Sequence, residues 1–198
     1  MSNAPMLRVS CAALCRIQDD SGRLLLGLNR NRLTQGREIF MPLGGALEFT
    51  APDLLARFDA VPEVPGSRDL RLFLPPRHLQ AFRAWFLTRQ QRELSPLREL
   101  AEELVNEFAV LPALVPADVT IRFRHTFEGE ASSGRSGVHG AWTHYLHEVF
   151  DVAFVSAAWC ERLRAVSPST GLRWMTPDEI MSGVTADGIP LDGSVLVD

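Results

Sequence analysis

"SPLRELAEEL", Ser95 to Leu104, sets Glu99, Glu102 and Glu103 in a short leucine-rich run. Ser95 suits an N-cap and Pro96 the first turn, so the pattern predicts a helix from there to near Phe108, before Pro112. At i+3 and i+4, Glu102 and Glu103 fall within about 60° of Glu99 on a helical wheel. Asn106 and Glu107 continue that face, while Leu97, Leu100, Leu104 and Phe108 lie opposite.

A solvated face is the ordinary reading of such a helix. Two features oppose it. Like charges at these spacings repel by about 0.2–0.5 kcal/mol per pair, and the chain has no lysine to offset them. A glycine pair, Gly44-Gly45 in "PLGGALE", also follows an apolar stretch upstream and brings backbone close to one spot. Hard divalent cations take several oxygen ligands, and Mg²⁺ is held by a few carboxylates plus substrate phosphates. Glu99, Glu102, Glu103 and the Gly44 carbonyl supply that set.

Working outward, "LRVSCAALCRI" (7–17) predicts a strand, "DDSG" a turn and "RLLLGLNR" a second strand, together a hairpin. "EIFMPLGGALEF" is extended up to and past the glycine pair. Residues 50–75 lose periodicity, carry prolines at 52, 62, 65 and 75 with Pro76 just past the edge, and read as a loop-rich insertion. Leu79, Phe82 and Phe86 restore helical spacing. Residues 119–127 and 142–155 predict two strands joined by the Gly/Ser-rich 129–140. Thr176 and Glu179 form a capping box, and Gly183 stops that last helix. This order implies an α/β (α+β) sandwich with a mixed sheet between helices, as one domain over 1–198 with an insertion at about 50–95.

Composition fits an ordinary globular chain of 198 residues, 46% hydrophobic and 22% charged. A net charge of −4 disfavours loose adhesion to nucleic acid or anionic membrane. All 20 basic residues are arginine, as GC-rich bacterial coding would produce, so lysine nucleophiles are excluded. Cys11, Cys15 and Cys160 have no metal-ligand spacing, and the first two read as core residues in a reducing cytoplasm. No 18-residue apolar run or signal peptide is evident. The opening "SNA" looks like a cloning scar, and residues 1–5 carry no weight in the fold.

"PLGGALE" followed by "RELAEEL" resembles a split Nudix box, G-x5-E-x7-R-E-U-x-E-E-x-G-U, where U is aliphatic. Arg98, Glu99, Leu100, Glu102 and Glu103 match its second half, Gly45 its first glycine, and Glu48 a commonly acidic position. Between Gly45 and Arg98 lie 52 residues, about 39 more than the motif's own spacing. The glutamate of the first half has no counterpart, which leaves the partner of Arg98 unassigned, and Val105 replaces the later glycine. A box interrupted by a helical insertion is similar to that of the SMODS-associated Nudix group, found near bacterial nucleotide-signalling defence systems.

The resemblance implies a Nudix-fold α/β/α sandwich that hydrolyses a phosphoanhydride in a nucleoside-diphosphate-linked metabolite. It implies Mg²⁺ or Mn²⁺ on Glu99, Glu102, Glu103 and the Gly44 carbonyl, with Arg98 in the catalytic set. Substrate contacts fall to Arg30, Arg32, Gly45 and Glu48, and one further acid to Glu128, Glu130 or Glu148. A homodimer stays open, and stable nucleic-acid or membrane binding is not expected. Two other functions compete: a Nudix-fold sensor that binds a nucleotide-type ligand without cleaving it, and a scaffold marked by an exposed aromatic patch on 76–92. Other candidates have ordinary roles to set against functional ones. Phe40 reads as core, Trp85 and Phe86 as packing of the insertion, and Arg135 as part of a hairpin connection. His125, His144 and His147 lack ligand spacing.

Overall fold

In the computed structural model, which describes residues 6–197, β1 (Leu7–Ile17) opens the fold as the long apolar run predicts. The Asp19 carboxylate caps the following turn by accepting the Ser21 and Arg23 N–H groups at 3.0 and 2.9 Å, and β2 (Leu24–Leu28) returns. A short helix α1 (Arg30–Leu33) is capped by Asn29, whose side chain accepts the Arg32 N–H. β3 (Phe40–Ala46) carries the glycine pair. Next come α2 (Leu54–Arg57), β4 (Val61–Pro62), β5 (Arg71–Leu74) and α3 (Leu79–Leu87). α4 (Leu97–Ala101) passes directly into a π-helical stretch, Glu102–Glu107. β6 (Val119–Ser132), β7 (Trp142–Phe154), α5 (Ala157–Arg164), β8 (Leu172–Met175) and α6 (Pro177–Ser182) complete the chain. The expected α+β class holds, with an open antiparallel sheet and several helices. Residues 1–5, with the suspected scar, lie outside the described residues.

Two compact units form. The first takes residues 1–13, 46–94 and 126–147. Within it β5 pairs antiparallel with the start of β1, Leu7 opposite Leu74 and Ser10 opposite Arg71, and β4 pairs with β5. The segment 50–75 is therefore not wholly loop, as its prolines suggested. Its last residues alternate, with Leu72 and Leu74 fully buried, because a neighbouring strand supplies the ladder that local sequence cannot announce. The helix expected from the spacing of Leu79, Phe82 and Phe86 forms as α3, and its Phe82 and Trp85 rings meet Phe58 at 5.4 and 6.1 Å between centroids. Phe82, Trp85 and Phe86 are all buried, so the exposed aromatic patch that a scaffold would show is not found on this helix.

The second unit takes residues 14–45, 95–125 and 148–198. β2 lies between β3 and β8, antiparallel to both, with Leu26 opposite Pro42 and Arg173. Its core gathers Leu24, Leu25, Leu26, Phe40, Leu43, Leu100, Leu104, Phe150, Leu172 and Met175. Phe40 is thus core, and Cys15 is buried as expected. α6 starts at the capping box, where Thr176 Oγ1 accepts the Glu179 N–H, and stops at Gly183 with φ 72°. Among the described residues no helix is long and apolar enough to cross a membrane.

Candidate active site

The acidic helix begins where Pro96 limits the backbone and Ser95 Oγ accepts the Leu97 N–H at 3.2 Å. Leu100 and Leu104 are fully buried and Phe108 nearly so, which pins one face against the core of the second unit. The other face does not continue as a regular α-helix. From Glu102 the backbone bonds widen to the i+5 pattern, as in Phe108 N–H to the Glu103 carbonyl at 2.7 Å. Single π turns of this kind recur at functional sites, because the extra residue redirects the side chains that follow. A uniform 3.6-residue wheel therefore corrects to an α turn followed by a π turn.

This helix meets the glycine pair in space. Glu103 Oε2 accepts the Gly44 N–H at 2.6 Å. Gly44 holds φ 124°, a conformation that L side chains rarely adopt. At Gly45, a Cβ would lie 1.9 Å from Glu99 Oε2, so the Glu99 carboxylate occupies room that only glycine leaves. Gly44 thus engages the cluster through its N–H.

Arg98 finds two partners within the same run. Its Nη1 lies 2.7 Å from Glu99 Oε1 and 3.3 Å from Glu102 Oε1. Glu102 is exposed; Glu99 and Glu103 are the two carboxylates on the glycine turn. Glu103 is open to water on its outer side yet set amid protein on the others. Burial pushes its carboxyl up, the Gly44 N–H pulls it down, and the charges of Glu107, Glu99 and Glu102 push it up again, to about 8 from an ordinary 4.5. The accessible side tempers the burial effect, but three like charges sustain the direction. Behind them the buried Cys15 thiol is held well above its usual range, first by burial and then by Glu103 and Glu99.

Glu107, which sequence reading left only as part of the acidic face, is thus a member of the cluster. The signal was its i+4 spacing from Glu103. Glu107 also ties Arg30 to the cluster: the Arg30 Nη2 donates to the Glu107 carbonyl, its Nε lies 3.3 Å from Glu107 Oε1, and its guanidinium sits over Phe108. Arg32 sits two residues on in α1, capped through its backbone by Asn29. Glu48 belongs to the first unit, where its backbone N–H and carbonyl bind Glu93.

The three further acids separate clearly. Arg83 clasps Glu128 with two hydrogen bonds of 2.6 and 2.7 Å, and Glu130 accepts from His144 and Trp142. Only Glu148 lies in the same unit as the carboxylate cluster, and it is buried at 1% exposure.

Among the described residues, no three acidic, histidine or cysteine side chains stand as a ready-made metal cage. The donor chemistry nevertheless fits a hard divalent cation. Mg²⁺ keeps several waters and asks for only one or two protein carboxylates. Glu99 and Glu103 provide two, crowded by like charge that a cation would relieve.

The chain belongs to the SMODS-associated Nudix family, whose domain model matches residues 6–191. That membership points to a family of pyrophosphate-bond hydrolases that generally use divalent metals. No curated protein matches the chain in sequence. Among solved structures, the solution structure of the E. coli ORF135 protein is similar over 93% of this chain and 81% of that one, at 12% identity and a TM-score of 0.36.

Proposed function

We propose that this chain hydrolyses a phosphoanhydride bond in a nucleoside-diphosphate-linked metabolite, with Glu99 and Glu103 as its central acids. The observation that carries the proposal is the seating of both carboxylates on the Gly44-Gly45 turn, across 52 intervening residues between Gly45 and Arg98. Glu99, Glu103 and the more exposed Glu102 would hold Mg²⁺ or Mn²⁺. Bound there, the cation neutralises phosphate charge and acidifies water.

The chain's own groups supply the rest. Water adds to phosphorus, the bridging P–O bond breaks with its electron pair leaving on the departing phosphate, and the water's proton passes to an ionised carboxylate of the cluster. Arg98 positions Glu99 and Glu102. Arg30 and Arg32 steady substrate phosphates, a task suited to the planar guanidinium fork. Glu148 is the choice for the further acid, because it shares the cluster's unit. The SMODS-associated description supports a substrate drawn from bacterial nucleotide-signalling defence.

The test is release of phosphate and mononucleotide from a panel of ADP-ribose, dinucleoside polyphosphates and cyclic oligonucleotides, with Mg²⁺ or Mn²⁺. Turnover that is lost in EDTA and in Glu103→Gln supports the hydrolase. Tight binding of one panel member with no turnover replaces it with a non-catalytic sensor.

A further inference from the structure

We propose that β6 is a dimerisation edge, which pairs antiparallel with β6 of a second copy of this chain about a two-fold axis at Thr126. Among the described residues β6 (Val119–Ser132) has one strand neighbour, β7, so its far side is a margin of the sheet. It runs for 14 residues without a proline. A long margin of this kind is a template on which another strand can add.

Charge names the occupant. Every second residue of the strand reads Arg122, Arg124, Thr126, Glu128, Glu130: two cations, a neutral centre and two anions. Such residues share one side of a strand, and the contacts agree. Arg122 and Arg124 both reach Asp151 Oδ2, at 2.7 and 3.2 Å, and Glu128 and Glu130 both lie against His144, at 4.0 and 3.1 Å. When two copies meet antiparallel with Thr126 opposite Thr126, residues equally far from that centre face one another. Arg122 then faces Glu130 of the second copy, and Arg124 faces its Glu128. The symmetry repeats both pairs. Opposite charges placed so stabilise a strand pair, and like charges destabilise it. The match concerns which sign faces which, and each group keeps the bonds it makes within its own chain.

Other pairings lose the match. A parallel pairing in register sets arginine against arginine and glutamate against glutamate. A slip of one residue puts both arginines opposite uncharged residues, and a slip of two keeps one kind of ion pair and loses the other. The mirrored order also separates β6 from a margin that is merely guarded. A strand kept single carries charges of one sign, or a proline, because these repel or block an identical strand. β6 carries both signs in the order that its own copy complements.

The inference does not depend on the hydrolase reading, and its test needs no turnover. Arg122 and Glu130 suit substitution, because their side chains are 75% and 48% exposed. Sedimentation equilibrium should show a dimer for wild type. Arg122→Glu and Glu130→Arg should each weaken self-association at least about tenfold, since each sets like charges opposite one another at two symmetry-related places. An equimolar mixture of the two variants should associate to within about threefold of wild type, because the mixed pair restores opposite signs at both places. Misfolding of either variant cannot produce that recovery. A monomeric wild type overturns the inference, as do single variants that dimerise as wild type does, or a mixture that associates no better than either variant alone.

Discussion

The Glu103 carboxylate accepts the Gly44 N–H at 2.6 Å, although 59 residues separate the two. A contact of this span is made only if the acidic helix and the glycine turn were selected to meet. The neighbouring pair, Gly45 and Glu99, is tighter still, because a Cβ would fall 1.9 Å from Glu99 Oε2. Gly45→Ala is therefore expected to push the Glu99 carboxylate aside while the fold survives, since the obstructing atoms end a flexible side chain. Turnover should drop at least about a hundredfold with Tm little changed, a loss of about 2.7 kcal/mol in transition-state stabilisation. Retained turnover would show that Glu99 need not sit on the glycine.

Glu103 gives a pH signature in the absence of metal. Its folded carboxyl is raised from 4.5 to about 8, so its contribution to stability is fully present below 4.5 and is lost as pH rises through about 8. Glu103→Gln keeps an acceptor for Gly44 but has no charge to bury. Thermal unfolding in EDTA should show the variant gaining on wild type from pH 5 to 8 and levelling beyond. Excess Mg²⁺ should stabilise wild type more as pH rises, and the variant less. A constant difference across that range would mean that Glu103 titrates normally.

Much of this arrangement is legible in the residues. The β1–β2 hairpin, the capping box at Thr176 and the core position of Phe40 all follow from local pattern, and the glutamate run announces an acidic face. What stays hidden depends on distant neighbours. β5 is written in proline-rich sequence and exists because β1 offers it a ladder. The π turn at Glu102–Glu107 breaks the 3.6 period on which a helical wheel rests. With the expected glutamate missing, Arg98 finds two partners in its own helix, at i+1 and i+4. Arg16 lies far in sequence from Arg122 and Arg124, yet all three reach Asp151 in the fold.

His147 provides a second pH signature with the opposite sense. Burial, followed by the charge of Arg71, lowers its imidazole from 6.5 to about 4. A depressed histidine contributes stability that is present above 6.5 and lost as pH falls through about 4. The loss is on the order of 3 kcal/mol once both states are protonated. His147→Phe, whose ring suits contacts with Tyr145 and Phe127, should flatten the fall in Tm between pH 7 and 4. An unchanged slope would assign the acid sensitivity to other groups.

The charge network of the first unit predicts a sharp contrast between two ion pairs. Arg8, 2% exposed, donates to Glu63 Oε2 from Nε and Nη2 at 2.8 and 2.6 Å and to Thr143 Oγ1 at 3.1 Å. Arg135 Nε reaches the other Glu63 oxygen at 2.7 Å. Glu63→Gln would strand the Arg8 charge in a dry setting, and removing one member of a buried pair costs about 3–5 kcal/mol. The Arg77–Asp59 pair is just as short, at 2.6 Å, but both side chains are more than half exposed. Water and salt already solvate those charges, so Asp59→Asn should cost far less than Glu63→Gln. Urea denaturation of the two variants measures the difference directly. Similar costs would mean that Arg8 keeps access to water when Glu63 is neutral, and that burial rather than distance is not what ranks these pairs.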